Sequence, residues 1–289
     1  MNAVPVATRR STDDRLGQIG LRGLAYVALV AGSVVMILPF LWMVSTSVKA
    51  DNQVFAFPPV WIPNPALWSN YAKVLVLLPF GRYLINTTFV SITVTFLEVL
   101  TSSLAAYSFA RLDFPGRDRL FLVYLGTLMV PGQVTIIPNF LVMSLFGWIN
   151  SYQALIIPAA FTAFGTFLLR QFFLTIPPEL EQAARIDGCG YLGIYRHIIL
   201  PLSGPALATL AIFSFNAQWN SFLWPLIVTN SDDFRTLTVG LSYFQDEYST
   251  QFNYMMAGSV LNIIPILIIF LLLQRYFVRG IALSGITGR

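Results

Sequence analysis

Polar side chains are scarce in this chain, so their spacing carries weight. Thr87, Ser91, Thr95, Glu98 and Ser102 follow one another at steps of 4, 4, 3 and 4. That spacing places them on one face of a helix. Glu98 falls near the middle of a long apolar segment, where an acidic residue facing lipid costs at least ~2.5 kcal/mol on insertion scales. The stripe must therefore face protein or water. It serves either interhelical hydrogen bonding or as a wall of a polar path, for which Ser91, Thr95 and Glu98 are candidates. A second group joins Ser214, Asn216, Gln218, Trp219, Asn220 and Ser221. Amides donate and accept, so they suit sugar hydroxyls, and an indole face suits a sugar's apolar side. The same amides also suit helix packing. Asn216, Trp219 and Asn220 complete the candidate path. The third group is the stretch "EQAARIDGCGYLGIYRHIILPLSGP", Glu181 to Pro205. It holds Glu181, Arg185, Asp187, Arg196, the only histidine, His197, and the only cysteine, Cys189.

Several chemistries are excluded. One histidine rules out multi-histidine metal sites, and one cysteine rules out an intrachain disulfide. No metal-ligand cluster or Ser-His-Asp set with both partners on one side is present, which argues against an intramembrane enzyme. Gly188 to Gly193 matches G-x-G-x-x-G, but that motif works only after a strand and at the start of a helix. Here a helix-forming run precedes it. The only lysines are Lys49 and Lys73, and neither stands in a G-x-x-x-x-G-K-[ST] loop, so the chain has no P-loop for ATP. No cofactor or metal is expected on the chain. The basic residues do not cluster as a nucleic-acid footprint would.

The elements that carry these groups are set by composition. Of 289 residues, 56% are hydrophobic and 10% charged, with mean hydropathy +0.70. An ordinary soluble domain is about 25% charged, so the chain reads as a multi-pass membrane protein. A spanning helix needs about 20 mostly apolar residues. Six segments qualify, near 22–46, 84–107, 120–145, 152–173, 204–228 and 255–277. Pro39, Pro131, Pro138, Pro158, Pro225 and Pro265 lie within them, and each can kink its helix. Residues 1–21 read as a polar, disordered tail and 278–289 as a second tail. The first apolar run is too long for a signal peptide, which also argues against reading Arg9-Arg10 as a twin-arginine signal.

Arginine and lysine set the orientation. With the N-terminus inside, thirteen basic residues fall on the inside and four, Lys49, Lys73, Arg82 and Arg235, outside. Both termini are therefore expected in the cytoplasm. Residues 47–83 and 229–254 become outside loops, and 174–203 a cytoplasmic loop. The outside loops carry Trp61, Trp68 and a proline cluster in one, and Asp232, Asp233, Asp246 and Glu247 in the other. They read either as solvated loops with interfacial tryptophans or as a docking surface for an external partner.

In the cytoplasmic loop, Pro177-Pro178 can open a helix, and Glu179 and Glu181 suit its positive end. Ala183, Ala184, Asp187 and Gly188 are small or short residues. Gly188 and Gly190 can end the helix. A second short helix is expected from Tyr191 to Leu200, stopped at Pro201. The bland alternative, an amphipathic helix lying on lipid, is disfavoured by its few apolar residues and thin basic face.

Gln182-Ala183-Ala184, Gly188, Ile198 and Leu200-Pro201 together resemble the signature of ABC-importer permeases: Glu-Ala-Ala, three residues, Gly, nine residues, Ile, one residue, Leu-Pro. Gln182 stands where that family has glutamate. Glu181 is one step away, about 100° around the helix. A glutamine keeps the length and can still hydrogen-bond, so coupling by shape survives while an ion pair at that position is in question. The resemblance spans nearly the whole chain and is closest to the carbohydrate-uptake branch, beside the second permease of maltose-type transporters. It is carried also by "AAYSFARLDFPGR" (105–117), "IPPELEQAARIDG" (176–188), "WNSFLWPL" (219–226), "RTLTVGL" (235–241) and "QRYFVRGI" (274–281).

The resemblance implies an all-α, six-helix type I importer permease of a bacterial or archaeal cell membrane. It implies as partners a second permease, two cytoplasmic ATPase subunits holding ATP and Mg, and an extracytoplasmic solute-binding protein. The 174–203 loop is then the coupling element that docks into an ATPase groove. Its implied interface comprises Glu181, Gln182, Ala183, Ala184, Arg185, Asp187, Gly188, Ile198, Leu200 and Pro201. A secondary transporter driven by an ion gradient is the alternative. It calls for more intramembrane ionisable residues than Glu98 and leaves the loop unexplained.

Overall fold

The computed structural model describes residues 12–244 and 251–284. The helices among them are α1 (Thr12–Ser47), α2 (Asp51–Val54), α3 (Ser69–Leu77), α4 (Phe80–Arg111), α5 (Arg117–Gly126), α6 (Gly132–Leu145), α7 (Tyr152–Ile156), α8 (Ala163–Leu174), α9 (Pro178–Ile186), α10 (Tyr191–Ile194), α11 (Leu200–Leu202), α12 (Gly204–Trp219), α13 (Leu223–Val228), α14 (Leu237–Ser242) and α15 (Phe252–Ser284). No strand occurs among the described residues.

Among the described residues, three helices are long and apolar enough to cross a membrane: α1 from Leu21, α4, and α15 as far as Leu272. Three bent pairs pass the same test together, giving up to six spans. The expected segment 120–145 is one such pair. Its halves, Arg117–Met129 and Gly132–Leu145, meet at 99°. The break is at Pro131, and Val130 before it is extended, the conformation that a following proline enforces. Segment 152–173 bends by 42° between Ala159 and Ala163. Segment 204–228 is not one helix either. α12 ends at Trp219, because the Asn220 side chain donates back to the Asn216 carbonyl at 2.9 Å and competes with the helix ladder. α12 instead continues from Tyr191–Leu202 through a 78° bend.

The expected termini also shift. α1 already includes Thr12, the first described residue, which lies inside the tail expected to be disordered. α15 runs past 277 as far as Ser284, the last described residue. Arg9, Arg10, Asp246, Glu247 and Arg289 lie outside the described residues. The loops expected at 47–83 and 229–254 contain α2, α3 and α14 and the starts of α4 and α15.

α4 is the spine. It packs against α8 and α12, while α15 packs against α1, α12 and α3. Its residues enter three apolar clusters in turn: Phe80 and Tyr83 with Val74, Leu237, Leu241 and Ala257; Val90 and Val94 with Leu155, Ile156 and Val228; Ala106 and Tyr107 with Leu169, Phe173, Tyr195, Ile199 and Leu210. α1 differs. Its most apolar stretch has no buried residue within the chain, as expected of a helix that is apolar all round and faces lipid or another subunit.

The end of α4 at Phe80 is tied to the 229–236 loop. Tyr83 and Arg235 donate to Asp232 Oδ1 at 2.6 Å each. These two donors hold the Asp232 carboxyl below the usual carboxylate range. Asn86 donates to the carbonyls of Asp233 and Arg235, both at 2.9 Å. At the same end Lys49 is fully buried, its ammonium 3.6 Å from the centre of the Trp42 ring. Burial lowers its pKa.

Candidate coupling loop and translocation path

The expected coupling loop folds as two short helices with a sharp corner. Pro177 is the N-cap of α9 and Pro178 its first residue. α9 ends in paired reverse hydrogen bonds: Gly188 N donates to Arg185 O at 3.0 Å and Cys189 N to Ala184 O at 2.9 Å. This is the Schellman arrangement, which needs a left-handed residue at the position after the cap. Gly188 supplies it, with φ 84°. The signature glycine is thus required by the corner itself. After it, α10 passes through a wide π-turn at Tyr195–Ile199 into α11. Pro201 does not stop this second helix. The widened turn just before it relieves the clash of its ring with the carbonyl four residues back.

The loop is fastened to α4 at three points. Arg111, the last residue of α4, forms an ion pair with Glu181 at 3.0 Å, and both side chains are nearly buried. Its guanidinium also donates to the carbonyls of Phe173 and Ile176, which follow from the end of α8. Tyr107 Oη donates to the Tyr191 carbonyl at 3.1 Å. Ser103 Oγ and Tyr195 Oη lie 2.6 Å apart. None of Arg111, Tyr107, Ser103 or Tyr195 stands out in the sequence. Arg111 lies 70 positions before Glu181, and the only hint is a basic residue closing an apolar run.

These contacts divide the expected interface. Glu181 and Ala184 face inward and are buried. Ile198 and Leu200 are half-buried against the same core cluster. Gln182, Ala183, Arg185, Asp187, Gly188 and Pro201 are exposed. Glu181 is therefore a correction to the expected docking face: it turns inward to Arg111, about 100° around α9 from the exposed Gln182. Ile186, with 87% of its surface open, extends the exposed face. Cys189 is free and exposed, and His197 Nδ1 sits 3.0 Å from the carbonyl of Gly193, one turn back in its own helix.

The α4 stripe is largely inside the protein. Thr87 accepts from Leu237 N at 2.7 Å and so seats α14. Glu98, 5% exposed, accepts from Thr162 Oγ1 at 2.7 Å and from Ser214 Oγ at 2.5 Å. Ser91 and Ser102 are buried and Thr95 half-buried. Ser102 faces Gly165, where a Cβ would come within 2.5 Å of its hydroxyl. Small residues here let α8 approach α4 closely. Thr87 and Glu98 thus bond to neighbouring helices, whereas the buried hydroxyls of Ser91, Thr95 and Ser102 have no hydrogen-bond partner among the described residues.

The α12 amides separate in the same way. Trp219 is 2% exposed and donates to the Asn262 carbonyl at 3.1 Å and to Asn262 Oδ1 at 3.0 Å. It anchors α12 to α15 and does not line an open path, a correction set by its indole N–H, which finds its partner on α15. Asn216 and Asn220 are exposed, one turn apart, and joined by an amide hydrogen bond of 3.1 Å. They present amide groups at the C-terminal end of α12.

Residues 20–283 match the family described as the inner membrane component of binding-protein-dependent transport systems. The chain belongs to this family. Members are membrane components of transporters rather than enzymes, and separate subunits hydrolyse ATP. Similar relatives include the arabinooligosaccharides transport system permease protein AraQ of Halalkalibacterium halodurans, 35% identical over 97% of this chain and 100% of that one. The sn-glycerol-3-phosphate transport system permease protein UgpE of Yersinia pestis is 35% identical over 91% of this chain and 96% of its own. A bacterial ABC transporter importing the acidic polysaccharide alginate shares the fold, with TM-score 0.79 and 24% identity over 94% of this chain and 100% of that one.

The transport family has a binding-protein-dependent mechanism, which replaces the ion-gradient alternative. It also places the chain in the inner membrane as a multi-pass component. Among the described residues no group of three histidine, cysteine or acidic side chains is arranged to hold a metal.

Proposed function

We propose that the chain is one of two different permease subunits in an ATP-driven importer of carbohydrates or related polyols. Two ATPase subunits bind ATP and Mg on the cytoplasmic side, a solute-binding protein delivers the solute from outside, and both chain termini lie in the cytoplasm. The relatives that transport arabinooligosaccharides and sn-glycerol-3-phosphate support a polyhydroxylated substrate. The exposed, paired amides of Asn216 and Asn220 are chemically suited to such a solute.

The observation that carries the coupling role is the division of α9 into two faces. One face is bound to α4 through Arg111 and Glu181, and the other, with Gln182, Ala183, Arg185 and Ile186, is open. An apolar residue as exposed as Ile186 beside small and polar neighbours suits a helix that enters a partner's groove. The inward anchors make a displacement of that face a displacement of α4 and α8.

Ala183→Trp tests this without disturbing the Gly188 corner. With the partner subunits present, uptake should fall by about tenfold, equivalent to about 1.4 kcal/mol of lost docking, while the chain still inserts beside the second permease. Gln182→Glu should leave association with the ATPase unchanged or tighter. Undiminished uptake and full ATPase association in Ala183→Trp would exclude this docking face. Calorimetry of the system's solute-binding protein against oligosaccharides and phosphorylated polyols checks the substrate class, and a protein that binds only amino acids excludes it.

A further inference from the structure

The segment 152–174 crosses with a break. It bends by 42° between Ala159 and Ala163, and Pro158 lies just before the bend. A break at membrane depth frees backbone groups that must find partners within the protein. Here α4 supplies them. Thr101 Oγ1 donates to the Ala160 carbonyl at 2.8 Å. Thr162 caps α8: its hydroxyl oxygen accepts from Gly165 N at 3.0 Å, and its hydroxyl donates to Glu98 Oε1 at 2.7 Å. The second oxygen of Glu98 accepts from Ser214 Oγ on α12. One buried carboxyl thus joins the cap of the broken helix to both neighbouring helices.

The two halves of the broken segment have different attachments. α7, before the break, is held at the far end: Trp224 Nε1 donates to the Ala154 carbonyl at 2.8 Å, and Tyr152 Oη donates to Asn86 Oδ1 at 2.7 Å. α8, after the break, leads directly into the loop fastened by Arg111. A movement of that loop reaches α7 along two routes: through the bend, and through α4, which holds both the loop at Arg111 and α7 at Asn86.

We propose that Glu98 is a positioning residue for transport. Together with Thr101, Thr162 and Ser214 it holds the bend at one angle, so that α8 moves with α4 and α12 as one body. Without this clamp the bend absorbs the displacement of α8, so that α7 no longer moves in step with α4 and ATP hydrolysis is poorly converted into transport. The transport consequence rests on the coupling role of the loop; the fixed angle at the bend does not.

The test uses the assembled transporter with its partner subunits. Spin labels at Gln153→Cys and Gln171→Cys, in a Cys189→Ser background, flank the bend on its two halves. Thr162→Val keeps the shape and removes both the cap and the bond to Glu98, whereas Thr162→Ser keeps both. The expected result is a single narrow distance distribution in the parent and in Thr162→Ser, and a broadened or shifted one in Thr162→Val. Solute taken up per ATP hydrolysed should fall about tenfold in Thr162→Val, with hydrolysis continuing, and stay within about twofold of the parent in Thr162→Ser. If Thr162→Val does not assemble, Ser214→Ala, which leaves the cap in place, is read by the same two measurements. An unchanged distance distribution, or unchanged uptake per ATP, overturns the proposal. The Ala183→Trp result bears on the docking face alone, so the two readings fail on separate measurements.

Discussion

Arg111 shows how one side chain can set the position of a whole surface. It sits at the C-terminal end of α4, where a cation is favoured by the helix dipole. It turns toward Glu181 and two carbonyls at the end of α8, those of Phe173 in its last turn and Ile176 just beyond. Glu181 and Gln182 are neighbours in sequence, yet one is buried and the other open. The sequence states that these side chains point about 100° apart; it does not state which points inward, because Arg111 approaches from a different helix. Removing one partner of a nearly buried pair strands the other charge, at a cost of ~3–5 kcal/mol. Arg111→Ala should therefore lower the thermal stability of the detergent-solubilised complex strongly. Arg111→Met combined with Glu181→Leu should lower it less than Arg111→Ala, because no charge is left unpaired. A double variant at least as unstable as Arg111→Ala would mean that the carbonyl contacts, and not the ion pair, hold the loop.

At the scale of elements, the close crossing of α4 and α8 depends on Gly165. A Cβ there would meet Ser102 Oγ at 2.5 Å and Thr162 Oγ1 at 3.0 Å. Overpacking of this kind costs ~1–3 kcal/mol. Gly165→Ala should destabilise the protein by about that amount, and adding Ser102→Ala, which removes the nearest atom, should recover part of the loss in a thermal-unfolding comparison. No recovery would show that the strain falls on Thr162 instead. The apolar runs of α1, α4 and α15 are legible from hydropathy alone, and so is the one-faced stripe of α4. The breaks are not. Pro39 and Pro265 lie inside continuous helices, whereas Pro131 stands at a 99° bend. A proline frees backbone groups wherever it stands; the neighbours decide whether the helix bends gently or ends. In the same way the period of the stripe points to Glu98, but its partners Thr162 and Ser214 lie 64 and 116 positions away, beyond any local pattern.

For the whole molecule, the structure places the α9–α11 loop and the α4–α5 turn at one end, joined by Arg111. It places the 229–236 loop at the other, joined to the start of α4 by Tyr83, Arg82 and Asn86. The first end carries Arg111, Arg117, Arg119, Arg170, Arg185 and Arg196, and the second carries Lys49, Lys73, Arg82 and Arg235. The tally becomes thirteen to four only when the arginines near both termini are included, and several of those lie outside the described residues. The proposed orientation thus rests on the cytoplasmic retention of arginine and lysine. The chain provides its own reporter, because Cys189 is the sole cysteine, is free, and is exposed on the loop. A membrane-impermeant maleimide should label it in inside-out vesicles lacking the ATPase subunits and leave it unlabelled in right-side-out vesicles. Adding the ATPase subunits should slow the labelling, since Cys189 adjoins the exposed face of α9. Labelling only from the outer side would invert the topology and remove the loop from the compartment that holds ATP. Labelling from the inner side that is indifferent to the ATPase subunits would keep the topology and move the docking surface elsewhere on the same end.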